Sequence, residues 1–244
     1  MPRATGRGRG GRGANRGAAA SAVVNHRPLR DTAIKPKYLW CMCCLRTAVD
    51  EFNPVNLEKQ APFVIDCVLN AAGSVLCRQC FDRRSGCESS PAGTLGNAHE
   101  YTDLLEWYAE TFFVDLKEGQ EDEDIVIFNE DVRRAINEAF KQLSSAFVQT
   151  VAVHRRYHGL TTNQKSRRVV DYEAFLARRR ELPGVNYEKL YLMPGDTGYV
   201  LWTSAKRSFR TAVTEALNWQ FEGDDLDNVL DDVLNGWPVI IGEL

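Results

Sequence analysis

The chain has 244 residues, 44% of them hydrophobic, which suits one ordinary domain plus a small module and a tail. No apolar stretch approaches the ~20 residues that span a bilayer, so no membrane partner is expected. The formal net charge of −3 hides an asymmetry, since residues 1–40 hold nine Lys or Arg against one acid while residues 100–244 hold 16 bases against 26 acids.

Residues 1–36 read as a disordered Arg/Gly-rich tail. Arg7, Arg9, Arg12 and Arg16 sit among glycines, giving high charge and nothing to bury. Such a tract can bind nucleic acid by backbone attraction and guanidinium stacking, or it can be a solvated tail. It does not read as a secretory signal, so a nuclear or cytoplasmic rather than secreted protein is expected. Reduced thiols follow from that location.

Residues 38–92 read as a small cysteine-rich module, expected to be irregular. Beyond a polar connection, residues 98–244 read as mostly helical. A first helix is expected over about 99–117, with Leu104, Leu105, Tyr108, Phe112 and Leu116 on one stripe. The acidic run Glu121 to Asp124 separates it from the best-defined helix, which starts after Asn129. Asn129 is a good N-cap, and Glu130 and Asp131 suit the positive end of the helix dipole. Val132, Ile136, Ala139, Phe140, Leu143, Phe147 and Val151 give that helix one apolar face, and Gly159 can cap its end. Further helices are expected over about 166–181, 203–221 and 224–234. The fold class is therefore mostly α: disordered tail, small irregular cysteine-rich module and helical body.

The seven cysteines carry the chemistry. Cys41 and Cys44 form one Cys-x2-Cys pair and Cys77 and Cys80 a second, with 32 residues between them, while Cys67 and Cys87 stand singly. Each pair can grip one ion, and zinc wants four such thiolates in a tetrahedron at about 2.3 Å. The six are therefore expected to bind zinc, as one ion or two. Cys43 is left over, as a spare or alternative ligand.

The order of pair, single, pair and single resembles a fungal cysteine-rich family known only as a domain of unknown function. Pro62-Phe63 before Cys67, Gly73 before Cys77 and the closing Gly86-Cys87-Glu88-Ser89 carry the likeness. The same order is similar to the fungal binuclear zinc cluster of transcription factors. That resemblance implies two zinc ions, with Cys41 and Cys77 bridging and Cys44, Cys67, Cys80 and Cys87 terminal. Where that cluster has a basic helix, this chain reads Leu45-Arg46-Thr47-Ala48-Val49-Asp50-Glu51, which argues against base-specific duplex readout.

Other signals have plainer readings. His154 and His158, one helical turn apart, read as a cationic helix end. Arg83-Arg84, Arg167-Arg168 and Arg178-Arg179-Arg180 read as solvated faces, and Asp224-Asp225 as solubilising. Trp107, Phe140, Phe147, Trp202 and Trp219 read as core. No phosphate loop, nucleophile elbow or catalytic carboxylate pair is evident. The expectation is a zinc-stabilised macromolecular interaction protein without catalytic activity, its protein partner unknown. The alternative is a nucleic-acid-associated protein that uses the tail and the module.

Overall fold

A computed structural model describes residues 28–238, apart from Leu39, 56–60, 114–125, 161–166 and Tyr187. It is mostly helical, with a compact cysteine-rich module at its N-terminal side. In chain order the elements are β1 (Leu29–Ile34), α1 (Met42–Glu51), β2 (Leu69–Ala71), α2 (Arg78–Asp82), α3 (Leu95–Phe112), α4 (Glu130–Tyr157), α5 (Arg167–Arg180), α6 (Tyr199–Leu217) and α7 (Gly223–Asn235). A short 3-10 turn over Ala92–Thr94 leads into α3.

The tail was expected to stay irregular through residue 36, and its last part does not. β1 pairs antiparallel with β2, Leu29 opposite Ala71 and Ile34 opposite Leu69. Arg30 Nε adds a bond to the Ala71 carbonyl at 3.0 Å. Arg7, Arg9, Arg12 and Arg16 lie outside the described residues, as does the acidic run 121–124. The module also holds regular structure, because α1 and α2 each start at a Cys-x2-Cys pair.

Helix α4 forms where its sequence signals lie. The Asn129 side chain accepts from the Val132 amide at 2.9 Å, satisfying a donor that the first turn leaves open. At the other end Gly159 takes φ 64°, and Leu160 and Gly159 donate to the carbonyls of Arg155 and Arg156. That is a Schellman closure, and it needs the left-handed conformation that glycine adopts without strain. All seven residues of the expected apolar face are buried.

That face packs against α3 and α6 around an aromatic core. Tyr108 stacks on Phe140 with centroids 4.2 Å apart, and Tyr101 stacks on Phe147 at 5.0 Å. Trp202 meets Phe147 edge-on, and Phe209 does the same with Phe140. Such pairs add about 0.5–1.5 kcal/mol each beyond the area they bury. Trp107 is also core, but Trp219 is not: it follows the end of α6 and stays 64% exposed. Helix α6 follows Gly198, at φ 99°, starting four residues earlier than the sequence suggests, and it ends at Leu217.

Among the described residues, the cysteine-rich module shares one core with α3, α4, α6 and α7, while Tyr172, Leu176 and Leu190 form a second, smaller cluster. Trp40, next to Cys41, is buried edge-on against Tyr101 and Phe147, and its Nε1 donates to Thr102 Oγ1 at 3.0 Å. Phe63 packs against Phe52 and Phe140, and its amide donates to Tyr108 Oη at 2.8 Å. The cysteines therefore lie at one end of the same buried cluster as α3, α4 and α6.

Candidate metal centre

Each Cys-x2-Cys pair is the N-terminus of a helix, and its first sulfur is the cap. Cys41 Sγ accepts from the Cys44 amide at 3.3 Å, and Cys77 Sγ accepts from the Cys80 amide at 3.4 Å. The single cysteines repeat the symmetry. The Cys41 amide donates to Cys67 Sγ at 3.4 Å, and the Cys77 amide donates to Cys87 Sγ at 3.1 Å. Four backbone donors and the positive end of α1 therefore face sulfur, which favours thiolates.

Two other contacts bring the halves together. Cys67 sits just before β2, and the Arg78 amide donates to the Val68 carbonyl at 2.8 Å, tying the start of α2 to that strand. The Met42 amide donates to the Glu88 carbonyl at 2.7 Å, tying the start of α1 to the segment carrying Cys87.

The six sulfurs consequently form two overlapping groups of four. Cys41, Cys44, Cys67 and Cys77 make one; Cys41, Cys77, Cys80 and Cys87 make the other. Within each group all ligand atoms lie within 4.8 Å of one another. Sγ–Sγ separations are 3.9 Å for Cys41–Cys77, 3.5 Å for Cys41–Cys80 and 3.4 Å for Cys44–Cys77. A thiolate tetrahedron with bonds of about 2.3 Å has edges of about 3.8 Å, so either group can hold a metal ion. Cys43 belongs to neither. Its Sγ donates to the Gly86 carbonyl at 3.4 Å and accepts from Arg46 at 3.2 Å, which makes it a structural neighbour rather than a ligand.

Electrostatics without a cation argue the same way. Hydrogen bonds from Cys44 and Cys67 pull the Cys41 thiol far below its ordinary range. The bond with Cys41 pushes Cys44 up, and Cys67 is raised to about 12 by the same neighbour. Burial raises Cys80 and Cys87. Such a cluster accommodates a thiolate at Cys41 at the expense of its neighbours. Ionising Cys44, Cys67, Cys80 and Cys87 alongside Cys41 needs positive charge between them, which is what a bound metal would supply.

Some important side chains carried no local signal. Glu88, beside Cys87, takes Arg46 of α1 on one oxygen at 2.6 Å and Arg155 of α4 on the other at 2.7 Å. Arg155 also donates to the Ser89 carbonyl at 2.6 Å. This clasp fastens the closing segment of the thiol cluster to the longest helix of the body. Arg83 is likewise paired, with Glu51 at 2.8 Å. Arg179 is not a solvated residue, since it pairs with Asp196 and lies over Phe175. His154 is not cationic: it is fully buried, with Nε2 at 3.1 Å from Tyr172 Oη, and burial holds it down at about 3.

Deeper in the body, Glu100 and Lys206 are both buried and 3.6 Å apart. Trp202 Nε1 and Asn97 donate to the same Glu100 oxygen at 2.8 and 3.0 Å. These residues are 106 positions apart and meet only through α3–α6 packing, so no spacing rule could have paired them.

Compared with known protein families, curated proteins and solved structures, the chain matches none. No helix among the described residues is long and apolar enough to cross a membrane.

Proposed function

We propose that this chain is a zinc-stabilised macromolecular interaction protein of the nucleus or cytoplasm, without catalytic activity of its own. The observation that carries the metal reading is the sharing of Cys41 and Cys77 between two four-thiol groups. Two tetrahedral ions need eight ligand positions, and six sulfurs with two shared supply eight. All-thiolate donation favours zinc among abundant divalent ions, and a closed four-sulfur shell leaves no position for substrate. The ions are then structural. They fix α1, α2 and the segment around Cys87 against the helical body, and the surface so formed is what a partner meets.

Native mass spectrometry of reduced protein should find two zinc ions per chain, lost below about pH 5 as protons compete for the thiolates. A chain with no metal and an unchanged fold would end this reading.

A second reading, in which the Arg/Gly tail gives affinity for nucleic acid, rests on seven arginines and no acid within residues 1–30. The remainder of the chain is acidic, so deleting residues 2–27 should abolish RNA binding rather than weaken it. Log affinity of the intact chain should fall with log salt at about −0.7 per phosphate contact. Equal binding by intact and truncated protein would set the tail aside.

A further inference from the structure

The two four-thiol groups share a pair of cysteines but differ in their surroundings. The inner group is closed by Cys44 and Cys67, which are 1% and 5% exposed. Cys44 lies in the ten-residue α1, which also buries Met42, Leu45 and Thr47. Cys67 is held by the Cys41 amide just ahead of the β1–β2 ladder. The whole inner group belongs to the core that Trp40 and Phe63 continue into α3 and α4.

The outer group is closed by Cys80 and Cys87. Cys80 is buried, but α2 has five residues and buries no other side chain. Cys87 is partly exposed, and it alone among the six ligand candidates is not fully buried. The chain reaches it from α2 through Arg84, a non-glycine residue held at φ 53°. Cys43 and the Glu88 clasp hold the flanks of Cys87, at the Gly86 carbonyl and at Arg46 and Arg155.

From these differences we infer that the centre is functionally asymmetric: the inner position holds a permanent structural ion, and the outer position exchanges its ion with external ligands. Cys87 is the ligand that opens. Exchange at a thiolate-bound metal requires an incoming ligand to reach the ion as one sulfur leaves, and the outer side offers that approach. Local opening is also easiest where few apolar contacts are broken; α2 buries only Cys80, and no residue of the Arg83–Glu88 segment is fully buried. The outer position therefore suits a thiophilic divalent cation such as zinc or cadmium, passed to or taken from a soluble thiol or chelator. This rests on the two-ion reading above.

The test uses the intact, zinc-loaded chain, challenged with excess EDTA at neutral pH. Native mass spectrometry follows the zinc count, while pulses of N-ethylmaleimide and peptide mapping show which sulfurs are freed. The expected course is a fast loss of one ion and a second loss at least about tenfold slower. Cys43 should be labelled at the outset, Cys80 and Cys87 in the fast phase, and Cys44 and Cys67 in the slow phase. Loss of both ions in one phase would overturn the asymmetry and leave the two-ion reading intact. So would labelling of Cys44 and Cys67 before Cys87. A chain that loads one ion, or none, would overturn the inference together with the two-ion reading.

Discussion

At the scale of single residues, Cys41 and Cys77 each serve three functions. Each is a metal-ligand candidate, the cap of a helix and the sulfur common to both four-thiol groups. Cys77→Ser should therefore cost both ions, whereas Cys43→Ser should leave the zinc count unchanged and shift stability by no more than about 0.5 kcal/mol. Native mass spectra and thermal melts of the two variants check this directly. The Glu100–Lys206 pair makes a different point. Lys206→Met leaves a buried carboxylate without its cation, a change that costs about 3–5 kcal/mol. Adding Glu100→Gln should recover part of that loss in urea unfolding, because the stranded charge is then gone. If the single variant melts like the parent, the pair is not buried as described.

At the scale of elements, the junction of α4 with α5 is expected to respond to pH. His154 is enclosed by Tyr172 and Phe175 of α5, His158 of its own helix and the Gly93 turn. Burial comes first in lowering it to about 3, and the charges of His158, Arg155 and Arg179 act in the same direction. The unfolded chain takes up a proton near about 6.5 that the folded chain refuses. Stability is therefore complete at neutral pH and is lost as pH falls from about 6.5 toward about 3. Between about pH 7 and pH 5.5, before metal is released, the loss should be about 1 kcal/mol. Urea midpoints should show it in the parent and a flatter response in His154→Gln; equal slopes would place the acid sensitivity elsewhere.

The same elements show what the sequence could and could not disclose. Helix α4 was legible because cap, dipole charges, apolar spacing and terminal glycine agree along one stretch. The two Cys-x2-Cys pairs drew attention to the thiol cluster because that spacing has few other reasons to exist, whereas Cys67 and Cys87 join it only through the fold. Helices α1 and α2 were not, since they are short and start on residues that read as metal ligands. Trp219 misled because a large aromatic near an apolar stripe usually points inward, and here the helix ends two residues before it. His154 misled because a basic residue in a last turn suits the dipole, and only α5 packing reveals its burial.

At the scale of the whole molecule, the thiol cluster and the helical body are coupled through aromatic side chains and one carboxylate. Trp40 and Phe63 extend the thiol cluster into the α3–α4 core, while Glu88 links α1 to α4. Trp40→Ala should cost about 3–5 kcal/mol, as for other buried tryptophans. Glu88→Gln, at a half-exposed site, should cost no more than about 1 kcal/mol. Chelation should lower amide protection in α1 and α2, and also around Tyr101–Tyr108 of α3 and Asn137–Phe147 of α4. Hydrogen exchange that stays unchanged in α3 and α4 would show the helical body to be independent of the module.

On the proposed reading, six thiolates of one chain bind zinc as a closed, sulfur-only centre. X-ray absorption at the zinc edge on purified reduced protein, with metal content measured on the same sample, tests it most directly. Two zinc ions per chain are expected, each with four sulfur neighbours at about 2.3 Å. A second metal should also appear close by, because Cys41 and Cys77 are shared. Nitrogen or oxygen neighbours in the first shell, or protein without zinc whose six thiols all react freely, would contradict it.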